Sequence, residues 1–288
     1  MNFNAGEDTF FKVKKFLNCR GRILELSTPK IMAIMNLTPD SFYDGGKIQN
    51  ENQMISIAES LLNAGADIID IGGQSTRPKS KRISADEEWN RIEPAITSIH
   101  KKFPEAIISV DTFYSEVALK AIDNGASIIN DISGGEFDSQ MFKVISEKQV
   151  PYVLMHIQGT PETMQDNPQY GNVVEEVLDY FISKIAILKQ LGIHDIIIDP
   201  GFGFGKKTEH NYSLLRNLSL FNMFNCPILA GLSRKSMITK VLDVKPEEAS
   251  NGTTALNTIA LLNGASILRV HDVMEAIEVR KIVTEFRG

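Results

Sequence analysis

The 288-residue sequence contains eight short apolar segments that alternate with segments of helical periodicity, and this alternation constrains the fold more than any other feature. Each segment is rich in isoleucine, valine or leucine and is apolar almost without a break. Parallel strands that are buried on both faces have this pattern, whereas half-exposed strands alternate apolar and polar residues. The eight predicted strands are 31–36, 67–71, 106–111, 127–131, 151–156, 195–200, 227–233 and 266–271.

In the segments between these strands, apolar residues recur every three or four positions, as they do in amphipathic helices. Ser84 and Glu87 form a capping-box pattern at the start of one such segment. Several segments are followed by a glycine just before the next strand, at a position that suits a helix C-cap. The predicted helices are 52–64, 85–102, 115–123, 138–148, 172–191, 209–219, 252–263 and 273–286.

Eight strand–helix units at even spacing predict an α/β fold that consists of a single (β/α)8 TIM barrel. A doubly wound sheet also alternates strands with helices, but eight evenly spaced units favour closure. Ahead of the first barrel strand, FFKVKKFL, NCRGR and ILEL predict a short N-terminal β-hairpin extension that covers the N-terminal mouth of the barrel. The predicted organisation is a hairpin extension over residues 1–30 and a barrel domain over residues 31–288.

Composition and charge argue against several functional classes. The formal net charge of −6 argues against a nucleic-acid surface, and the sequence holds no run of about 18 apolar residues that would predict a membrane span. The opening residues, MNFNAGEDTF, lack the basic and apolar regions of a signal peptide, so we predict a cytoplasmic location. Cys19 and Cys226 form neither a disulfide framework nor a CxxC metal motif.

An acid, amide or base stands at or next to the end of every predicted strand. TIM-barrel active sites lie at the C-terminal ends of the strands, so these side chains are predicted to form one ring. General loop polarity explains a single such residue well, but it explains eight strand ends poorly. The ring consists of Asn36, Asp70, Asp111, Asn130, Asp131, His156, Asp199, Ser233, Arg234, Lys235, Arg269 and His271.

This ring combines groups suited to a heterocycle with groups suited to phosphate. The carboxylates of Asp111 and Asp199 and the amide of Asn130 match a flat, nitrogen-rich ring, because paired N–H donors bind a carboxylate in bidentate fashion. Basic side chains in and beside the ring suit phosphate or pyrophosphate oxygens. These are Arg77, Lys235, Arg269 and His271.

Two loops, TPDSFYDGG at 38–46 and GGQSTRPKS at 72–80, contain glycines that allow them to move as lids over a substrate. Several familiar motifs do not apply to this sequence. GFGFGK at 201–206 lacks the flanking residues of a Walker phosphate loop, and the sequence has no HExxH zinc motif and no GxSxG nucleophile elbow.

Seven motifs, taken together, resemble the dihydropteroate synthase family: MNLTPDSFYDGG, DIGGQSTRP, SVDT, IINDISGG, IIIDPGFGFGK, GLSRKS and LRVHD. They occur in the family's order and all lie within residues 31 to 273. The resemblance implies a transferase of folate biosynthesis that joins 6-hydroxymethyl-7,8-dihydropterin pyrophosphate to para-aminobenzoate, giving 7,8-dihydropteroate and pyrophosphate. It also implies a pterin-binding catalytic barrel, Mg²⁺ as cofactor, sulfonamides as inhibitors and a homodimer that pairs through the last helices.

The resemblance also assigns roles to residues of this sequence. It assigns pterin binding to Asp111, Asn130, Met155, Asp199, Phe204 and Lys235. It assigns pyrophosphate binding to Asn36, Arg269 and His271, with Asn36 also as the magnesium ligand. It assigns para-aminobenzoate binding to Phe42, Thr76, Arg77, Pro78 and Ser236. The catalytic residues that it implies are Lys235, Arg269, His271, Asp111 and Asp199.

The sequence departs from the family's usual pattern in the second loop. Gln74 stands where the family commonly has Glu, and Lys79 where it commonly has Gly. These changes leave open how the loop is anchored and how sulfonamides bind. Asp70 has two open interpretations, a buried acid that is bonded within the barrel or a substrate contact. For His156 we predict a structural role.

Three other functions compete with the synthase. A pterin-binding methyltransferase-type barrel would share the acids and the amide, but it has no reason to keep the SRKS, RVH and STRP motifs together. A barrel aldolase would use Lys235 as a Schiff-base nucleophile. A non-catalytic pterin-binding paralogue would keep the pocket without turnover. The sequence alone does not fix the oligomeric state, the loop conformations or the order of substrate binding.

Overall fold

The computed structural model describes residues 13–38, 51–77 and 79–288. The N-terminal hairpin is formed by two antiparallel strands, β1 (Phe16–Cys19) and β2 (Arg22–Glu25), as predicted. The turn between them holds Arg20 and Gly21 at positive φ. Residues 1–12, which include the start of the predicted extension, lie outside the described residues, and the division of the chain at residue 30 stays a prediction.

Among the described residues, eight parallel strands form the barrel. They are β3 (Lys30–Asn36), β4 (Ile68–Gly72), β5 (Ile107–Asp111), β6 (Ile128–Asp131), β7 (Tyr152–Met155), β8 (Ile196–Asp199), β9 (Leu229–Ala230) and β10 (Ile267–Val270). Their order is β8-β7-β6-β5-β4-β3-β10-β9. A parallel bridge between Ile198 and Ile228 joins the two end strands and closes the barrel. The predicted TIM barrel is therefore confirmed.

Helices follow the strands and cover the outside of the barrel. Ser84 Oγ accepts a hydrogen bond from the Glu87 amide at 3.2 Å, which confirms the serine half of the predicted capping box. The Glu87 carboxylate accepts from Arg91 instead of completing the box. One short helix, α7, was not predicted. The helices are α1 (Glu51–Asn63), α2 (Ala85–Lys102), α3 (Ser115–Asp123), α4 (Met141–Lys148), α5 (Val173–Gln190), α6 (Thr208–Arg216), α7 (Ser236–Leu242), α8 (Ser250–Leu262) and α9 (Val273–Arg287). Within the described residues, no helix is both long and apolar enough to cross a membrane.

The hairpin packs against the interior of the barrel at the N-terminal ends of its strands. Leu17 and Cys19 from β1, together with Leu24 and Leu26, are buried against one residue near the start of each of seven barrel strands. Burying a leucine side chain stabilises a fold by about 1.5–3 kcal/mol. The hairpin therefore fills the mouth opposite the strand ends that carry the polar ring. The strand residues that it contacts are Met32, Ile68, Ile128, Val153, Ile197, Leu229 and Ile267.

Candidate active site

A cavity of about 680 Å³ lies over the C-terminal ends of the strands, within the size range of pockets that bind small organic molecules. The predicted site residues on its wall are Asn36, Thr76, Arg77, Phe204, Lys235, Ser236, Arg269 and His271. Four more, Asp111, Asn130, Met155 and Asp199, are almost fully buried behind this wall. Phe42 and Pro78 lie outside the described residues, as does most of the first predicted lid.

Arg269 connects the cavity wall to two of the buried acids. Its Nε donates to Asp70 Oδ2 at 2.6 Å, and its Nη2 donates to Asp111 Oδ2 at 2.7 Å. The same oxygen of Asp70 accepts a hydrogen bond from Asn130 Nδ2 at 3.0 Å. These residues meet because β4, β5 and β6 are neighbours in register, with Asp111 directly opposite Asn130. Asp70 thus positions both Arg269 and Asn130.

Burial dominates the electrostatics of this network. It raises the pKa of Asp111 to about 7, although the Arg269 guanidinium opposes the rise. Burial by itself would lower the pKa of Arg269, but Asp70 and Asp111 outweigh it, so the guanidinium keeps its proton. The Oδ1 atom of Asp70 is buried and has no hydrogen-bond partner among the described residues. One carboxylate oxygen of the network, Asp70 Oδ1, therefore lies beside the cavity without a hydrogen-bond donor in the described part of the chain.

Lys235 lies at the other side of the network, close to Asp199. Burial raises the pKa of Asp199, against the nearby Lys235 charge, and Asp199 Oδ1 accepts a hydrogen bond from the Gly201 amide at 2.8 Å. Burial lowers the pKa of Lys235 to about 8, while Asp199 opposes that shift. The ammonium donates to the Phe202 carbonyl and lies 4.7 Å from the centre of the Phe204 ring. Its position is fixed by backbone and aromatic contacts together.

The apolar side of the site is a small cluster that is separate from the main barrel core. Met155 packs with Phe113 and Ile132, and the half-buried Phe204 ring lies against them. Met155 is the last residue of β7, directly opposite Asp199 on β8. A flat ring held by the acids would therefore meet apolar surface as well as charge. Met155 and Phe204, which were predicted as the apolar walls of a pterin site, thus lie together in one cluster.

Residues 201–205 form a glycine-rich turn that carries Phe204. Gly201 has a φ of +70°, and a Cβ there would lie 1.9 Å from the His156 carbonyl oxygen. Gly205 has a φ of +61°, and its Cβ would lie 2.3 Å from the Gln158 carbonyl oxygen. Only glycine fits these two positions, because both the left-handed backbone and the close approach exclude a side chain. GFGFGK is thus a tight structural turn.

His271 lies at the edge of the cavity, exposed to solvent on one side and hydrogen-bonded to Ser233 on the other. Ser233 Oγ lies 3.0 Å from His271 Nδ1 and accepts the His271 amide at 3.3 Å. A hydroxyl that accepts from the amide can donate to Nδ1, which leaves the proton of a neutral imidazole on Nε2. Desolvation and the charge of Arg269 lower the pKa of His271 to about 4. His271 therefore offers an N–H donor to an anion, and the positive charge beside it comes from Arg269.

The second predicted lid, with Thr76 and Arg77, is anchored from both sides. The buried Gln74 Oε1 accepts a hydrogen bond from the Ile83 amide at 3.0 Å, across the base of the loop. The Lys79 amide donates to the Pro161 carbonyl at 3.0 Å. Lys79 has a φ of +65°, in the left-handed region. The Arg77 side chain is exposed at the mouth of the cavity.

Comparison with known proteins identifies the family. Residues 32–271 match the family described as "Pterin binding enzyme". Dihydropteroate synthase of Escherichia coli K12 is 46% identical over 269 residues, which cover 93% of this chain and 95% of that protein. The chain belongs to the dihydropteroate synthase family. The family's enzyme from Haemophilus influenzae is 41% identical over 268 residues, which cover 92% of this chain and 97% of that protein.

Solved structures of the family share the whole fold. A Yersinia pestis dihydropteroate synthase in complex with a sulfonamide drug superposes with a TM-score of 0.89 at 40% identity, covering 94% of this chain and 99% of that one. The Xanthomonas albilineans dihydropteroate synthase with 4-aminobenzoic acid gives a TM-score of 0.89 at 36% identity, covering 96% of this chain and 99% of that one. The family resemblance of the sequence motifs is thereby confirmed.

The two departures from the family's usual residues can now be given a structural meaning. Gln74 serves as an acceptor through Oε1, a function that a glutamate oxygen would also perform. Lys79 occupies a left-handed position, which a glycine adopts without strain. The lid of this member of the dihydropteroate synthase family therefore keeps its anchor and carries some backbone strain at Lys79.

The ring of strand ends did not predict every residue that shapes the cavity. Met164 and Gln165 line it, and Gln165 Nε2 donates to the Gly203 carbonyl at 2.7 Å. Both lie in a long connection after β7, where no strand end marks them. Lys206 was not predicted either, because the GFGFGK motif marks its lysine only when it forms a phosphate loop. It is buried and bonded to His156, which fits the structural role predicted for that histidine but does not test it.

Proposed function

We propose that this protein joins 6-hydroxymethyl-7,8-dihydropterin pyrophosphate to para-aminobenzoate and so makes 7,8-dihydropteroate and pyrophosphate. One observation carries the proposal. The acids and amide suited to a pterin, Asp111, Asn130 and Asp199, adjoin a cavity whose wall carries Arg269 and Lys235. They do so in a chain that belongs to the dihydropteroate synthase family. The relatives bind the expected ligands, para-aminobenzoate and 7,8-dihydropteroate among them.

In the proposed complex, the pterin lies between the carboxylates and the apolar cluster. Asp111 and Asp199 accept from the N–H groups of the ring, and Asn130 supplies both a donor and an acceptor. Phe204 and Met155 exclude water from the ring faces. Because this pocket is poorly solvated, hydrogen bonds to charged groups within it are stronger than in water.

The reaction breaks the bond between the pterin methylene carbon and the pyrophosphate oxygen. The electron pair leaves with the pyrophosphate, and positive charge develops on the methylene and the ring. Arg269 and the Nε2–H of His271 stabilise the leaving anion, while Asp111 and Asp199 stabilise the developing cation. The amine of para-aminobenzoate then forms the new C–N bond and loses a proton. Such an electrophile requires no strong general base.

Magnesium is part of the proposal, with Asn36 as its protein ligand. No group of three His, Cys, Asp or Glu suited to a metal occurs in the described part of the chain. Mg²⁺ fits a sparser set, because it keeps several waters and is held by one or two protein oxygens together with substrate phosphates. Asn36 ends β3 on the cavity wall and offers an amide oxygen there. When bound, the ion would neutralise charge on the pyrophosphate.

We assign para-aminobenzoate to the outer part of the cavity. Thr76, the exposed Arg77 guanidinium and Ser236 at the start of α7 line this part. A guanidinium pairs well with the carboxylate of such a substrate. Phe42 and Pro78 complete the proposed set but lie outside the described residues. Sulfonamides are proposed to occupy the same place, as inhibitors.

A homodimer is proposed through the face formed by α7, α8 and α9. These helices pack on one another and expose large apolar side chains, with Ile282 68% and Phe286 77% exposed. Exposed large apolar side chains on neighbouring helices are typical of protein–protein contacts. Light scattering should give twice the chain mass of 32.0 kDa, and Ile282→Asp should shift it towards the monomer. A wild-type monomer would contradict the proposal.

The cytoplasmic location also remains a proposal, which cell fractionation would test.

Pyrophosphate release tests the proposed reaction directly. Purified protein is incubated with Mg²⁺ and pterin pyrophosphate, with and without para-aminobenzoate, and the products are separated by chromatography. Release that depends on para-aminobenzoate, with 7,8-dihydropteroate as product, is the expected result. Pterin binding without this product would overturn the proposal in favour of the methyltransferase-type or non-catalytic alternative. A borohydride-trapped adduct on Lys235 with a carbonyl substrate would favour the aldolase.

A further inference from the structure

A lysine ammonium is buried beside the proposed pterin site without touching the cavity. Lys206 is 3% exposed. Its Nζ lies 3.0 Å from the Gly201 carbonyl oxygen, 3.0 Å from that of Phe204 and 3.2 Å from that of His156. It also lies 2.9 Å from His156 Nδ1. Four acceptors therefore surround one ammonium.

These acceptors belong to two separate elements of the site. His156 follows β7 directly, one residue after Met155. Gly201 and Phe204 belong to the glycine-rich turn after β8, so the ammonium joins the ends of two neighbouring strands. The turn also presents the Phe202 carbonyl to Lys235 and places the Phe204 ring 4.7 Å from the Lys235 ammonium. Any shift of the turn would therefore move the apolar wall and the lysine anchor together.

Burial of a lysine is costly unless its donors are satisfied, so its presence here needs a reason. The left-handed glycines turn two carbonyls of 201–204 inward, and buried carbonyls without donors are unfavourable. Burial lowers the pKa of Lys206, and the charge of Asp199 opposes that shift. As an ammonium the side chain has three N–H donors and satisfies several carbonyls at once. Burial lowers the pKa of His156 to about 2, so the ring is neutral. Its tautomer with the proton on Nε2 leaves Nδ1 as an acceptor for Lys206. An apolar side chain at 206 would fill the space but remove this donor from the Phe204 carbonyl and leave the Gly201 carbonyl with only the Phe204 amide.

We propose that Lys206 is a positioning residue for the pterin site. It ties the turn 201–205 to His156 and so holds the Phe204 ring and the Lys235 ammonium where the pterin pyrophosphate meets them. Lys206 acts through those two residues and does not touch the substrate. The inference rests on the proposed function, because it takes the pterin pyrophosphate as the ligand of this pocket.

Lys206→Met tests the proposal, since methionine fills similar space without a donor. We expect pterin pyrophosphate to bind about tenfold more weakly in calorimetry, because the binding surfaces are no longer preorganised. The KM for para-aminobenzoate, measured at saturating pterin pyrophosphate, should change by less than about twofold. The matched control is Lys207→Met, which removes the neighbouring, exposed lysine and should leave both values unchanged. Unaltered pterin affinity in Lys206→Met, or an equal loss for both substrates, would overturn the proposal.

Two variants of the partner keep the test decisive if Lys206→Met does not fold. His156→Asn retains an acceptor near the Nδ1 position and should bind pterin pyrophosphate within about threefold of the wild type, whereas His156→Leu should lose about tenfold. Equal affinities for these two variants would contradict the role of the Lys206–His156 contact.

Hydrogen exchange separates this proposal from the proposed function. The amides of Gly201, Gly203 and Phe204 are hydrogen-bonded within or next to the turn. Their exchange should become at least about tenfold faster in Lys206→Met and stay unchanged in Lys207→Met. If the protein makes no dihydropteroate but the exchange of these amides differs between the two variants, the synthase assignment is refuted and the role of Lys206 in fixing the turn stands. Unchanged exchange in an active Lys206→Met enzyme would refute only the role of Lys206 in fixing the turn.

Discussion

Replacing Arg269 with methionine tests the central electrostatic feature of the site, a guanidinium that two buried carboxylates share. Nε lies 2.6 Å from Asp70 Oδ2, and Nη2 lies 2.7 Å from Asp111 Oδ2. Methionine keeps much of the apolar stem but removes both hydrogen bonds and the positive charge. Asp70 is fully buried and Asp111 is 8% exposed, so both carboxylates depend on the guanidinium for their charge compensation.

The expected loss follows from the cost of an unpaired buried charge. Removing one partner of a buried ion pair destabilises a protein by about 3–5 kcal/mol, and we expect a loss of that size at about pH 8. Burial raises the pKa of Asp111 to about 7 while Arg269 opposes the rise, so without Arg269 the pKa lies higher still. A carboxyl with a raised folded-state pKa favours the folded state when it is protonated. The variant should therefore regain stability as the pH falls from about 8 towards the unfolded pKa of about 4.

Urea unfolding at about pH 5 and about pH 8 measures both parts of this expectation. The control is Arg22→Met, whose ion pair with Glu105 is exposed, at 3.3 Å. It should cost less than about 1 kcal/mol at either pH. A loss below about 1 kcal/mol in Arg269→Met, or an equal loss at both pH values, would refute the reasoning that Arg269 compensates two buried acids.

Three further expectations concern the pterin side of the site. Asp199→Asn should weaken pterin pyrophosphate binding in calorimetry by about 1–3 kcal/mol. The control Asp195→Asn, just before the start of the same strand, should leave the affinity unchanged, and equal affinities for the two variants would remove Asp199 from the site. Gly201→Ala should lower the unfolding free energy in urea by about 3 kcal/mol or more, because its Cβ would lie 1.9 Å from the His156 carbonyl oxygen; a loss under about 1 kcal/mol would contradict that approach. Pterin pyrophosphate should release protons on binding at about pH 6.5, because the ring's N–H donors favour ionised Asp111, whose pKa is about 7 in the free protein. Calorimetry in buffers of different ionisation enthalpy measures this release, which should vanish at about pH 9, where Asp111 is already ionised; release that persists there would exclude Asp111 as its source.

The fold and the ring of polar residues could be predicted because they depend on chain direction more than on side-chain detail. In a parallel barrel, the C-terminal ends of all strands meet at one mouth. Asn36, Asp111 and Asp199 are the last residues of β3, β5 and β8, as the sequence pattern indicated. Continuous apolar runs were sufficient to locate these strands, because strands that are buried on both faces of a sheet have this pattern.

Elements of few residues could not be predicted in the same way. Helix α7 has seven residues, which is too few for helical periodicity to appear against a strand or loop pattern. Predicted strand 227–233 was too long, because β9 pairs with β10 through Leu229 and Ala230 only.

Side-chain pairing was also beyond prediction, and it gives Asp70 its meaning. The sequence left Asp70 open between a buried structural acid and a substrate contact. In the structure, Asp70 and Asp111 both bond Arg269, so the acid proposed for the pterin is already engaged by an arginine proposed for pyrophosphate. A pterin that takes up Asp111 must compete with this guanidinium. Arg269 loses only one of two partners in that exchange, because Asp70 lies inside the barrel and holds Nε in either case. The bonds of Asp70 to Arg269 and Asn130 favour the interpretation as a buried structural acid, and we expect it to hold the arginine at the pyrophosphate end of the pocket.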